Sequence, residues 1–220
     1  MWKPISLVKI ENILLRKIPS PRKMEHDYVL RKNIAYNLQY LEFMDVVSES
    51  DNIKVTSVID TLNYKIFVIV SFSIIEGIMY HEIKKNNLEN RTSWEKMKEI
   101  TGQNKIFLGS EKYEVRVENI LYKKLEVKKE TEMKSISMID KLESKKIFGD
   151  DKNLYSDIRK LLKLRNKIHI HVYDESKINT DWNNFDKSKM ILAKKILWEI
   201  LRRYFQITEH EKKKYFYYLV

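Results

Sequence analysis

The stretch Ile66-Phe67-Val68-Ile69-Val70-Ser71-Phe72-Ser73-Ile74-Ile75 decides how this chain folds, because it is the centre of the most apolar segment, residues 55–85. Its β-branched content suits a buried strand, and its length suits a helix that is apolar all round. A helix of the second kind sits at the centre of a bundle, so the segment is placed inside one. It reads as too short and too interrupted for a bilayer, which needs ~20 consecutive apolar residues, and no membrane association is expected.

On the N-terminal side, Leu7, Ile10, Ile13 and Leu14 recur at helical spacing until Pro19-Ser20-Pro21 stops the helix. A longer amphipathic stretch follows over 26–48, with Val29, Ile34, Leu38, Leu41 and Val46 as its apolar positions and Tyr36, Tyr40 and Phe43 between them. On the C-terminal side, Ser93-Trp94-Glu95-Lys96 reads as the N-cap and first turn of a short helix. Gly102 and Gly109 then bracket an irregular stretch, and the alternation of Tyr113, Val115 and Val117 with charged residues predicts a small β-hairpin or irregular insertion around 106–130. Residues 128–146 suit a surface helix carrying Met133, Ile136, Ile139 and Leu142. Two clearer helices close the pattern, from 154 to about 172 and over 185–205. The second shows two apolar faces, Met190, Ala193, Leu197 and Tyr204 on one and Ile191 and Trp198 on the other, which calls for two neighbours. The expected fold is all-α, a single helical domain over 1–220 with its core at about 25–205 and a basic, aromatic tail at 206–220.

Composition agrees with a helical chain. The 220 residues include 4 Gly and 3 Pro, too few for turn-rich sandwiches, propellers or Gly-loop nucleotide folds. Forty-two Lys and Arg against 31 acids give a net charge of +11, which favours polyanionic partners. The absence of Cys removes disulfides, thiolate zinc sites and a Cys nucleophile, and it suits a reducing compartment. Met1-Trp2-Lys3-Pro4-Ile5 lacks the apolar core of a secretory signal, so a cytoplasmic location is expected.

One residue breaks the pattern. At ~100° per residue, Leu154, Ile158, Leu161, Ile168 and Val172 form one stripe, and Arg165 falls almost in its middle. A guanidinium carries a permanent charge and five donors, so it needs an anionic or carbonyl partner wherever it is buried. Glu76, the one acid between residues 61 and 81 of the apolar segment, is the partner that the chain offers. The alternative is that Arg165 faces a cleft and awaits a phosphate. Close behind it stand His169 and His171, of which only His169 shares its face on a continuous helix. His26, His81 and His210 read as surface residues.

Arg165-Asn166, followed by His171 after five intervening residues, resembles the hallmark of the HEPN superfamily. These are helical proteins that include many prokaryotic RNase toxins and defence effectors. The commonest form of the motif would put the His at 170, where this chain has Ile. The resemblance implies a homodimeric helical bundle whose composite site cuts RNA without metal, with Arg165 and His171 as the principal pair and His169, Asn166 and Glu76 in support. It also implies a toxin or antiphage context, with an antitoxin protein among the partners, and a rival reading as a non-cutting module that binds RNA or protein.

The residue types suit that chemistry. Attack by a 2′-OH needs a base, an acid and positive charge on the crowded phosphorane. Imidazole serves in both protonation states near neutrality, and Arg grips two phosphate oxygens. No Walker loop, dinucleotide loop or nucleophile elbow occurs, so no cofactor is expected. His169-x-His171 lacks a third ligand beyond Asp174 or Glu175, so no metal site is expected. The tail Tyr215-Phe216-Tyr217-Tyr218, after Lys212-Lys213-Lys214, suits packing on the bundle better than stacking on bases.

Overall fold

The apolar run is helix. In the computed structural model, which describes residues 3–19, 25–49, 56–108, 111–168 and 181–219, with backbone alone at 101, 103–108, 111–113, 115 and 116, it lies inside one unbroken element, Ser57–Lys85. A helix satisfies the backbone of such a run internally, and side-chain packing outweighs the modest helix penalty of its Val and Ile residues. The earlier reading of its length is overturned. At 29 residues, with a mean hydropathy of 1.7 in its most apolar window, it is long and apolar enough to cross a bilayer by length and composition. What occupies its flanks here is other helices.

The described residues fall into two units, Met1–Asn87 with Lys134–Val220, and Leu88–Met133. The first is helical. Its elements in chain order are α1 (Leu7–Leu14), α2 (His26–Ser48), α3 (Ser57–Lys85), α4 (Ser135–Ser144), α5 (Lys152–Asn166), α6 (Asp181–Asn184), α7 (Lys187–Phe205) and α8 (Glu209–Tyr215), with a 3-10 turn at Tyr217–Leu219. Helix α3 touches α2, α4, α5, α6 and α7 and is the centre of the unit. Phe67, Phe72, Ile75, Ile78 and Met79 of α3 are fully buried, as are Leu38 and Leu41 of α2, Ile158 and Leu161 of α5, and Leu197, Ile200 and Leu201 of α7.

Local chemistry sets the helix ends that matter for the site. Asp151 caps α5 by accepting from the N–H groups of Asn153 and Leu154 at 3.0 and 3.4 Å. The Arg203 guanidinium, 2.9 Å from Asp151, holds the cap's carboxyl below its usual range. Gly149, at φ +96°, makes the turn into that cap. The buried Tyr155 hydroxyl accepts from Phe148 N–H at 2.9 Å and donates to Leu142 C=O at 3.2 Å, fastening α5 to the end of α4. The expected continuation of α5 to residue 172 does not occur. The helix stops at Asn166, where Lys167 and Ile168 bond back three residues, to Leu164 and Arg165, in a tightening last turn. His169 and His171 lie outside the described residues.

The tail is part of this unit. Phe216, Tyr218 and Leu219 are buried, Tyr218 donates to Leu38 C=O at 2.8 Å, and Tyr217 donates to Glu42 at 2.8 Å. Trp198 is covered by Phe216 and by Lys212 lying over its ring. The second apolar face of α7 is thus covered in part by the chain's own C-terminus, while Ile191 stays exposed.

The second unit is a two-stranded antiparallel sheet, β1 (Arg91–Leu108) with β2 (Glu111–Glu130). The hairpin is therefore longer than expected, and Ser93-Trp94-Glu95-Lys96, read as a helix start, is strand. Trp94, Glu95 and Lys96 pair with Lys124, Lys123 and Tyr122, and this cross-strand pairing overrides the local capping signal. The surface helix expected over 128–146 shortens to α4 for the same reason, since pairing reaches Glu130.

Candidate functional site

Helix α3 does not bury every face. Leu62, Ile66, Ile69, Ser73, Glu76 and Tyr80 follow one another at alternating steps of four and three residues, and each is half-buried or exposed. Such spacing draws a straight seam along a helix, the geometry by which two helices pack lengthwise. Glu76 is the one charge in it. Ser135, the first residue of α4, donates its hydroxyl to Glu76 Oε1, so the α4 N-terminus fixes that carboxylate.

Arg165 comes to the same place from the last full turn of α5. Its Nη2 is 3.9 Å from Glu76 Oε2, its guanidinium carbon lies 6.0 Å from the centre of the Phe72 ring one turn below Glu76, and its Nη1 donates to Asn166 Oδ1 at 3.3 Å. Three of the five predicted site residues therefore stand together. At 3.9 Å the carboxylate attracts the guanidinium without a hydrogen bond. The side chains of Arg165 and Glu76 are 35% and 30% exposed. Arg165 is thus at the rim of the stripe formed by Leu154, Ile158 and Leu161 rather than in its middle, because the helix ends one residue later.

The segment 169–180, which carries both histidines of the motif, lies outside the described residues, and the described residues on either side of it are bonded to each other. Lys167, just past α5, donates to Asn184 Oδ1 of α6 at 2.9 Å, and Asp181 of α6 accepts from Lys65 of α3 at 2.9 Å. Among the described residues no cluster of three His, Asp or Glu side chains is arranged to hold a metal ion.

Two polar groups of α3 escaped the sequence reading. His81 is buried, against the expectation of a surface position, with Nδ1 3.2 Å from Asp27 Oδ1 and Nε2 3.2 Å from Lys17 C=O. A carbonyl only accepts, so Nε2 carries a hydrogen and the ring ties α3 to α2 and to the turn that follows α1. Its neighbour Glu82 accepts from the buried Tyr204 hydroxyl, from Lys85 at 3.2 Å and from Asn86 at 3.0 Å. Burial opposes ionisation of Glu82, but these donors hold its carboxyl below the usual range. Burial and the same carboxylate push the Tyr204 hydroxyl well up. Both groups stand one turn beyond the buried Ile78 and Met79, so helical spacing places them on the inward face, but titratable side chains read as surface until a partner on another element is known.

Charge is uneven between the units. Leu88–Met133 holds ten Lys and Arg against nine Glu, so +10 of the net +11 belongs to the helical unit. No family model, curated protein or solved structure matches the chain.

Proposed function

We propose that the protein is a metal-independent endoribonuclease of the HEPN type, acting as a cytoplasmic homodimer in a toxin or antiphage setting. The observation that carries this reading is the state of Arg165. Its guanidinium is steered by Glu76, backed by Phe72 and donates to Asn166, yet it is a third exposed and keeps N–H groups to offer a phosphate. A structural ion pair has no need of that open side.

The rest of the chemistry follows from what lies near. His169 and His171 follow Ile168 by one and three residues, within about 11 Å of it by chain length alone. An imidazole there takes the 2′-OH proton or returns one to the leaving 5′ oxygen, while Arg165 stabilises charge on the phosphorane. One chain supplies few such groups. A twofold mate packed along the α3 seam, which passes through Glu76, would bring two sets into one cleft. The dependence on a 2′-OH selects RNA, and the basic helical unit supplies the attraction for it.

A non-cutting HEPN-like module that binds a partner protein is the second reading. It is favoured by the outer face of α2, where Val29, Tyr36, Tyr40 and Phe43 align on one exposed stripe opposite the buried Ile34, Leu38 and Leu41. Incubation of the purified protein with total RNA in EDTA decides between them. Cleavage leaving 2′,3′-cyclic phosphate ends, lost in both Arg165→Ala and His171→Ala, is expected of the nuclease. Intact RNA with the wild-type protein, or cleavage that survives Arg165→Ala, refutes it.

A further inference from the structure

The β unit has a feature that the helical site leaves unused. At its root, Trp94 pairs with Lys124 and Lys96 pairs with Tyr122. Side chains of paired residues, and of residues two apart on one strand, share a face. Trp94, Tyr122, Lys96 and Lys124 therefore form a checkerboard on one face of the hairpin, with the rings on one diagonal and the ammonium groups on the other. Diagonal neighbours in an antiparallel pair sit ~7–8 Å apart. Trp94 is 51% and Tyr122 54% exposed, and neither ring stacks on another side chain among the described residues.

The backbone is shaped around this patch. Strand β1 breaks register between Thr92 and Trp94 and again between Lys96 and Lys98, so one irregularity stands on each side of it. The first is braced by Trp94 N–H donating to Thr92 Oγ1 at 3.1 Å. Bulges re-aim side chains, and a pair of them bracketing two exposed aromatics gives these rings an orientation that a regular ladder would not. Burying neither ring leaves the hairpin without that contribution to its stability, and a two-stranded ribbon is marginal alone.

Charge supplies the class of ligand. The hairpin as a whole is nearly neutral, but residues 91–99 and 120–130 carry seven Lys and Arg against four Glu. Lys96 pairs with Glu99 and Lys129 with Glu95, whereas Lys98, Lys123 and Lys124 make no ion pair among the described residues. Lys98 and Lys123 project from the other face, while exposed rings interleaved with Lys96 and the unpaired Lys124 fit a strand that has unstacked π-faces and a phosphate backbone. Duplex hides its base faces, so among polyanions a single strand is the one that fits exposed rings.

We propose that the root of the hairpin is a single-strand binding platform on which Trp94 and Tyr122 stack consecutive bases while Lys96 and Lys124, on the same face, meet the flanking phosphates. Under the ribonuclease reading it holds the substrate RNA, and it rests on that reading only for the identity of the strand. Stacking and phosphate contacts need no 2′-OH, so the platform also takes single-stranded DNA, which the cleavage chemistry cannot cut.

The test uses the full chain and a fluorescently labelled short oligothymidylate, followed by anisotropy. Trp94→Thr with Tyr122→Thr retains β propensity, and far-UV circular dichroism checks that the sheet persists. The double variant is expected to bind about tenfold or more weakly, Trp94→Phe to retain most of the affinity, and wild-type tryptophan fluorescence to fall on binding in a manner absent from Trp94→Thr. Affinity within twofold of wild type in the folded double variant overturns the proposal, as does failure of the wild-type chain to bind single strands. Unchanged binding combined with lost self-association in sedimentation also overturns it and makes the patch a protein contact. The two readings fail separately: a wild-type chain that binds through Trp94 but cuts no RNA keeps the platform and loses the nuclease.

Discussion

Replacing Arg165 with Ala separates a working guanidinium from a structural one. Two unit charges 3.9 Å apart, as Arg165 and Glu76 are, attract by roughly 4 kcal/mol before any correction at an effective dielectric constant of 20. Most of that is lost to solvent and to the entropy of holding two long side chains, since both are about a third exposed and no hydrogen bond joins them. What remains is of the order measured for exposed pairs, ~0–1 kcal/mol. The stack on Phe72 adds about 0.5–1 kcal/mol at such a site. The variant should therefore unfold about 1–8 °C below wild type, at roughly 2–4 °C per kcal/mol for a chain of this size. RNA cleavage should fall by ~10²–10³-fold or more, as for loss of one donor to a developing oxyanion. Thermal unfolding by circular dichroism and a cleavage assay on the same preparation make both measurements. A drop beyond about 12 °C, or an insoluble protein, would show that the pair behaves as a buried one, whose rupture costs ~3–5 kcal/mol, and would refute the reasoning about exposure.

Other consequences are as direct. Tyr204→Phe strips a buried carboxylate of a donor and should cost about 1.5–3 kcal/mol in urea unfolding; a change under ~0.5 kcal/mol would mean that Glu82 finds another partner. Glu82 has a folded value below the ordinary 4.5, so its contribution is complete above pH 4.5 and is lost as pH falls through the lowered folded value. Glu82→Gln should flatten the urea midpoint against pH in that acid range, and an unchanged slope would remove Glu82 from the account. Phe216→Ala, in a fully buried ring of the C-terminal segment, should cost ~3–5 kcal/mol, whereas Tyr217→Phe should lose only the bond to Glu42. Similar small effects of both, read by denaturant midpoint, would mean that the tail does not pack as described.

The periodicity of Leu154, Ile158 and Leu161 was enough to mark Arg165 as misplaced, and its acid partner was legible too, because only one carboxylate interrupts the run around Phe72. The hairpin was legible only in its second half, where Tyr113, Val115 and Val117 alternate. Its first half carries the local signs of a helix start at Ser93. Strand pairing is a non-local interaction, and no window of residues around Trp94 contains Tyr122 and Lys124, which hold it extended.

The amino-acid order by itself determined that the chain is mostly helical, that α3 is central and that the chain is basic. Those properties depend on spacing and composition, which are local or summed quantities. Tertiary structure decided that α5 ends at Asn166, that Arg165 rests at a rim against Phe72 and Glu76, and that His81 and Glu82 turn inward. Each of these depends on which surfaces meet: a polar side chain goes inside only where a specific donor or acceptor from another helix is waiting for it, as Tyr204 is for Glu82.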